Sequence, residues 1–250
     1  MTKGSGIMIT DFSKQVELVK PWEFNKRINV VGCGAGGSWL VLFLYKMGFK
    51  NIHVYEFDTV EEHNVPNQAF GEKNIGMLKT QAMAETLNCF TNDCENENAF
   101  ESQVKFHNKK ITSENAHLLS GIVFSCVDSM KARKEIYENC FKYGSAELWI
   151  EGRLGLWGAY IYTLGEKNNT IFEEYEKTLY ADEEAEVSIC GVSQTALPSA
   201  VNCSSNMIMA MISHYRGNKL DNEIRWQMPD MTTLNSTWGK ETIQKEELVA

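Results

Sequence analysis

The chain is poor in basic residues, in paired cysteines and in long apolar runs, and each shortage removes a class of function. Its 24 Lys and Arg stand against 33 Asp and Glu, a net charge of −9. No Lys/Arg cluster exceeds two or three residues, whereas proteins that hold a nucleic-acid backbone need a basic face, so no nucleic-acid partner is expected. No apolar run approaches the roughly 18–20 residues that cross a bilayer, and the longest, residues 39–45, is short enough to be a core helix; no membrane association is expected. The seven cysteines, at 33, 89, 94, 126, 140, 190 and 203, are odd in number and contain no CxxC pair. That argues against a disulfide framework and against a four-thiolate structural zinc, so no zinc is expected. With no charged-then-apolar leader, the expected setting is reduced and cytoplasmic.

What is present is concentrated in residues 28–79. The apolar strand Ile28-Asn29-Val30-Val31 runs into Gly32-Cys33-Gly34-Ala35-Gly36-Gly37-Ser38 and then an apolar helix over 39–47, giving GxGxxG spacing at Gly32, Gly34 and Gly37. Glycines at these positions let the backbone turn tightly, approach a phosphate and pack helix on strand, while the helix N-terminus offers unpaired N–H groups to an anion. A second strand over 51–57 carries Glu56, 19 residues beyond Gly37, where an acidic side chain accepts ribose hydroxyls. Up to this point NAD and ATP are equally good ligands.

The next segment separates them. Asp58-Thr59-Val60 leads through Asn64-Val65-Pro66-Asn67-Gln68 to Ile75-Gly76-Met77-Leu78-Lys79. Lys79, opening a helix that runs to about Leu87, brings a compact positive charge suited to the outer phosphates of ATP, and Asn64 and Gln68 can orient a triphosphate or its metal. A surface lysine and turn-forming amides are the plain alternatives. A dehydrogenase has no use for a lysine here, which leaves an NAD-dependent oxidoreductase as the weaker reading.

In order and spacing these five elements resemble the ubiquitin-activating-enzyme-like adenylyltransferases of the ThiF and MoeB type. The resemblance implies a Rossmann-like, doubly wound α/β fold with a mainly parallel sheet. It also implies ATP and Mg²⁺ as cofactors, a homodimer, and a small ubiquitin-like or sulfur-carrier protein, or a peptide, as partner. The partner's C-terminal carboxylate would be activated as an acyl adenylate. It continues in Ile122-Val123-Phe124-Ser125-Cys126-Val127-Asp128, whose aspartate falls where the family carries Mg²⁺ on the phosphates; helix capping is the plain alternative for Asp128. Further on, Cys190, Pro198 and the helix over 201–215 ending at Arg216-Gly217 follow the family order. Cys190 is thereby a candidate acceptor thiol, with a small buried hydrophobe as the alternative.

Two departures bear on competence. Asn67 stands where the family turn carries arginine, and Lys14, in Phe12-Ser13-Lys14-Gln15, stands where the family supplies an arginine from the partner subunit's arm. Losing one donor aimed at a charged transition state costs about 3–4 kcal/mol. Either Lys73, Arg133 or Arg153 compensates, or the chain is a catalytically weakened nucleotide-binding scaffold that pairs with an active relative.

At 250 residues and 43% hydrophobic content the chain can build one core, and a single domain over 1–250 is expected. A helical arm over 1–27 precedes the first strand. The following elements are a strand over 103–107, a helix near 113–119, the Asp128 strand and a helix over 130–143. Strands over 148–152 and 157–164, split by a glycine-rich turn, then extend the sheet in antiparallel fashion. An acidic crossover loop over 165–189, carrying Glu173, Glu174, Glu176, Asp182, Glu183, Glu184 and Glu186, is expected to be solvated and mobile. An edge strand over 223–228 and a frayed tail over 242–250 complete the order.

Overall fold

The computed structural model describes residues 11–90, 99–180, 194–227, 230–238 and 243–246. Strand and helix alternate through β1 (Ile28–Val31), α1 (Ala35–Lys46), β2 (Ile52–Glu56), α2 (Lys79–Asn88), β3 (Val104–Asn108), β4 (Gly121–Ser125), α3 (Met130–Tyr137) and β5 (Ala146–Leu154). β6 (Gly158–Leu164), α4 (Asn169–Glu176), α5 (Leu197–Tyr215), β7 (Glu223–Gln227), β8 (Thr232–Ser236) and β9 (Ile243–Glu246) follow. All nine strands form one sheet in the order β3-β2-β1-β4-β5-β6-β7-β8-β9. The run from β3 to β5 is parallel and every pairing from β5 to β9 is antiparallel. The expected doubly wound α/β fold, with antiparallel strands at its C-terminal side, is the one observed.

Every residue of β1, β2 and β4 is buried, because helices cover both faces of these strands. Ile28, Val30, Ile52, Val54, Ile122, Phe124 and Ile150 face the apolar sides of α1, α2 and α5. Val31, Tyr55, Val123 and Trp149 face the opposite layer, built on α3 and α4, where Trp149, Tyr137 and Tyr175 are fully buried. Each such large apolar side chain removed from water contributes about 1.5–3 kcal/mol, which fixes the register of the parallel strands. Their C-terminal ends therefore line up along one edge, where open α/β sheets bind ligands.

Several expectations need correction. The described part of the N-terminal arm holds turns and a short 3₁₀ helix, Pro21–Glu23, and no α-helix. The segment near 113–119 forms only a 3₁₀ turn, Ala116–Leu118. The helix over 130–143 is α-helical only to Tyr137 and then widens into a π-helical turn, Glu138–Lys142. The acidic loop contains α4, capped by Asn168, whose Oδ1 accepts from the Ile171 N–H at 2.9 Å; Ile171 and Tyr175, one helical turn apart, anchor it in the core. Glu223–Gln227 is an interior strand, and the tail expected to fray supplies β9. Among the described residues no helix is long and apolar enough to cross a membrane.

Candidate active site

The turn after β1 is held by packing that only glycine permits. Gly32 has φ +92°, and a Cβ on it would lie 2.7 Å from the Cys126 carbonyl oxygen; a Cβ on Gly37 would lie 2.0 Å from the Gly32 oxygen. Gly34 differs: nothing lies within 4 Å of its Cβ position, so the space beside the first turn of α1 is open. Two glycines close the turn on itself, and the third keeps room at a helix N-terminus that has no side-chain cap.

Glu56, at the end of β2, is 5% exposed. Its Oε2 accepts the Cys33 N–H at 2.8 Å, and its Oε1 accepts the N–H groups of Phe57 at 2.7 Å and Asp58 at 3.0 Å. The carboxylate therefore stitches the glycine turn to the end of β2, while Oε2, with one bond, keeps acceptor capacity for a ligand hydroxyl.

Beyond Glu56 the chain leaves the sheet and returns at Lys79. The excursion is closed by a small antiparallel ladder: Lys79 N–H donates to the Asp58 carbonyl at 2.9 Å, Val60 N–H to Met77 at 2.8 Å and Gly76 N–H to Val60 at 2.8 Å, around the Thr59–Leu78 bridge. Lys79 is thus fixed at the start of α2, its side chain only 10% exposed and its Nζ 3.8 Å from Asp58 Oδ2. Burial, reinforced by the Glu56 charge, raises the Asp58 pKa; Lys79 opposes this and the Asp128 charge adds to it. Glu56, Asp58 and Asp128 thus share one electrostatic neighbourhood with the buried Lys79 and the exposed Lys110, three carboxylates against two lysines. That surplus of negative charge suits a hard cation brought in by a phosphate ligand. Among the described residues no three His, Cys, Asp or Glu side chains converge as metal ligands.

Asp128 lies three residues past β4 and is exposed. It does not cap α3: Ser129 does, its Oγ accepting from the Ala132 N–H at 3.2 Å. The capping alternative for Asp128 is thereby removed, and its carboxylate faces outward at the sheet edge.

The Asn64–Gln68 turn is pinned against the start of α1, since Ala69 N–H donates to Ser38 Oγ at 3.0 Å and Trp39 Nε1 to the Asn67 carbonyl at 3.0 Å. Asn64 Oδ1 accepts the Glu61 N–H at 2.9 Å, so this oxygen shapes the turn itself. Gln68 is 8% exposed and its Oε1 is buried without a partner, a polar atom that a ligand or water must satisfy. Asn67 Nδ2 donates to the Thr195 carbonyl at 3.0 Å; the residue at the arginine position here joins the turn to the segment leading into α5.

None of the three proposed compensating cations is free. Lys73 pairs with Glu85 at 3.3 Å, and Arg133 and Arg153 both pair with Glu151. Lys14 belongs to an arm that lies, within one chain, at the far end of α1, where Gln15 Nε2 donates to the Met47 carbonyl at 2.7 Å. Cys190 lies outside the described residues, as does much of the crossover segment. Glu151 is the buried charge that sequence reasoning passed over; its signal was a Glu and an Arg two residues apart inside an otherwise apolar strand, Leu148-Trp149-Ile150-Glu151-Gly152-Arg153.

The doubly wound sheet thus brings the glycine turn, the acidic strand end and the buried lysine into one neighbourhood, an arrangement that places the chain in a Rossmann-like α/β class. Residues 18–245 match the ThiF family, and the chain belongs to it. Similar curated relatives include the ubiquitin-like modifier-activating enzyme 5 of Dictyostelium discoideum, 30% identical over 155 residues, covering 55% of this chain and 38% of that protein. The enzyme of the same name from Oryza sativa subsp. japonica is 30% identical over 132 residues, covering 50% and 31%. The chain thus spans well under half the length of these relatives. In fold it is similar to the microcin C7 biosynthetic enzyme MccB in complex with N-formylated MccA, with a TM-score of 0.69, 15% identity and coverage of 87% of this chain and 66% of that one. It is also similar to PaaA, with a TM-score of 0.64, 14% identity and coverage of 96% and 79%.

Proposed function

We propose that the chain is an ATP-dependent adenylyltransferase that activates the C-terminal carboxylate of a ubiquitin-like or sulfur-carrier protein, or of a peptide. The observation that carries this reading is the placement of Lys79, nearly buried beside Asp58 and facing the same sheet edge as the open Gly34 turn and the exposed Asp128. The name of the relatives, ubiquitin-like modifier-activating enzyme, supports a ubiquitin-like partner, and the complex of the structural neighbour MccB with N-formylated MccA supports a partner of another kind.

In this reading the α1 N-terminus and the space at Gly34 receive phosphate oxygens, Glu56 Oε2 accepts a ribose hydroxyl, and Gln68 and Asn64 line the triphosphate. Lys79 neutralises the outer phosphates, and Asp128, with Asp58 near it, holds Mg²⁺. The ion, when bound, offsets charge on the leaving pyrophosphate. The carboxylate oxygen of the partner attacks the α-phosphorus, the bond from that phosphorus to pyrophosphate breaks, and an acyl adenylate remains. The protein's share is orientation and electrostatics. Cys190 is the candidate acceptor for a following thioester step, and the proposed assembly is a cytoplasmic homodimer.

ATP–pyrophosphate exchange tests this. Wild type exchanges in the presence of a ubiquitin-like or peptide carboxylate, and Lys79→Ala and Asp128→Ala each lower the rate by about 10²–10³-fold. Absence of exchange with every such carboxylate overturns the reading. Asn67, tied to Thr195 where the family has a cation, favours a second reading in which ATP is held without turnover. Its signature is Mg²⁺-dependent ATP binding with no pyrophosphate release.

A further inference from the structure

Beneath the Asp128 turn lies a buried ionic cluster that the proposed reaction does not use. Glu151, in β5 directly opposite Ser125 of β4, is wholly buried. Its Oε1 takes Arg133 Nη1 at 2.9 Å and the Arg153 Nε–H, and its Oε2 takes the Tyr175 hydroxyl. Burial alone would favour the neutral acid, but the Arg133 and Arg153 charges and the Tyr175 hydrogen bond outweigh it and hold the carboxyl ionised.

Arg133 is 3% exposed, and its guanidinium reaches two strands' ends at once. Nη2 donates to the Val127 carbonyl and Nη1 lies 3.4 Å from the Gly152 carbonyl. Val127 immediately precedes Asp128, and Ser129, immediately after it, is the cap of α3. Asp128 is therefore held from both sides by its neighbours' bonds, and the one on the strand side depends on an arginine paired with Glu151, which Arg153 shares. Gly32 and Gly37 also pack on Cys126 of the same turn, so a shift of this turn would be felt in the phosphate cradle.

A buried ionic cluster that served packing alone could be replaced as a whole by apolar side chains at little cost. Here Glu151 carries charge to a residue whose Nη2 donates to the backbone carbonyl beside a candidate metal carboxylate, and whose Nη1 is shared with the Gly152 carbonyl. We propose that Glu151 is a positioning residue for the Mg²⁺-binding carboxylate of Asp128, acting through Arg133. The inference rests on the proposed role of Asp128 and goes beyond it, since it assigns function to a side chain that cannot touch nucleotide. Outer partners that orient a metal ligand typically change metal affinity by about 10–100-fold when removed.

The test is the Mg²⁺ concentration at half-saturation of ATP binding, followed by calorimetry on the full chain without any carboxylate partner, with thermal melting in parallel. Glu151→Gln is expected to raise that concentration about tenfold or more. Arg133→Lys, which keeps a charge opposite Glu151 but loses the forked bonds to Val127 and Gly152, is expected to do the same, and it serves if Glu151→Gln does not fold. Tyr175→Phe removes a hydrogen bond from the same carboxylate while leaving Arg133 paired, so it is expected to lower Tm without moving the Mg²⁺ requirement. Unchanged Mg²⁺ half-saturation in a folded Glu151→Gln or Arg133→Lys protein overturns the inference alone, as does an equal shift in Tyr175→Phe. A wild type that binds no ATP at any Mg²⁺ concentration overturns the proposed function as well.

Discussion

The two halves of the sheet solve different problems. In the parallel half, β1, β2 and β4 are buried on both faces, and their strand ends carry the glycine turn, Glu56 and the approach to Asp128. In the antiparallel half, β7 alternates between half-buried and exposed residues after a buried Glu223, and β8 is only half-buried throughout. A strand covered on both sides cannot shift register without moving whole rows of apolar side chains, whereas a half-covered one can adjust to a neighbour. The site is therefore built on the rigid half, and the half with freedom on its surface lies away from it.

That contrast can be broken by substitution. Ile122→Ala, in the two-sided core, is expected to destabilise by about 2–5 kcal/mol, while Leu234→Thr in β8 costs about 0.5 kcal/mol; denaturant unfolding of both variants measures the difference. Comparable losses would mean the two halves share the stability evenly. Within the rigid half the glycines sharpen the point. Gly37→Ala drives a methyl group against the Gly32 carbonyl, so a loss of about 1–3 kcal/mol is expected together with loss of ATP binding. Gly34→Ala meets open space, so Tm should hold while ATP binds about tenfold more weakly, a separation that melting and titration calorimetry resolve.

The smallest expected effect is in pH. Burial, then the Arg27 charge, then His107, pull the His53 imidazole from 6.5 down to about 4, in line with its contacts to Arg27 at 3.5 Å and His107 at 3.0 Å. As pH falls below 6.5 the unfolded chain takes up this proton before the folded one does. The contribution of a neutral His53 is therefore complete above pH 6.5 and is lost between 6.5 and about 4. Unfolding curves across that window should steepen in their pH dependence for wild type and flatten for His53→Gln.

Much of the rigid half was legible because its constraints are local. A glycine required at φ +92° admits no substitute, and a strand buried on both faces must be an unbroken apolar run, as Ile28 to Val31 is. Lys79 could be placed at a helix start from spacing alone. The partners of these residues were not legible. Glu56 binds three backbone N–H groups, Asn64 Oδ1 caps its own turn, and Asn67 reaches Thr195 across 128 positions. The bonds from Glu56 to Cys33 and from Asn67 to Thr195 depend on which segments the tertiary fold brings together, while the local ones depend on turn geometry that residue type alone does not specify. β8, with Thr232, Thr233, Asn235 and Ser236, shows no apolar alternation, because a half-solvated strand does not need it. α4 was hidden for the opposite reason: its acidic residues dominate the composition, and the pair Ile171 and Tyr175 that anchors it is only two residues in eight.

The ladder that closes residues 58–79 has a consequence for how this site can change over generations. Because the backbone bonds at Asp58, Val60, Gly76 and Lys79 seal the neck of the excursion, its exposed rim behaves as a replaceable cassette. Its exposed residues, such as Glu62, His63, Pro66 and Glu72, can be exchanged while the lysine and the carboxylate opposite it keep their separation and Asn64 and Gln68 keep their places beside α1. Novelty in what the site accepts can thus accumulate in the cassette, insulated from the electrostatics at its neck.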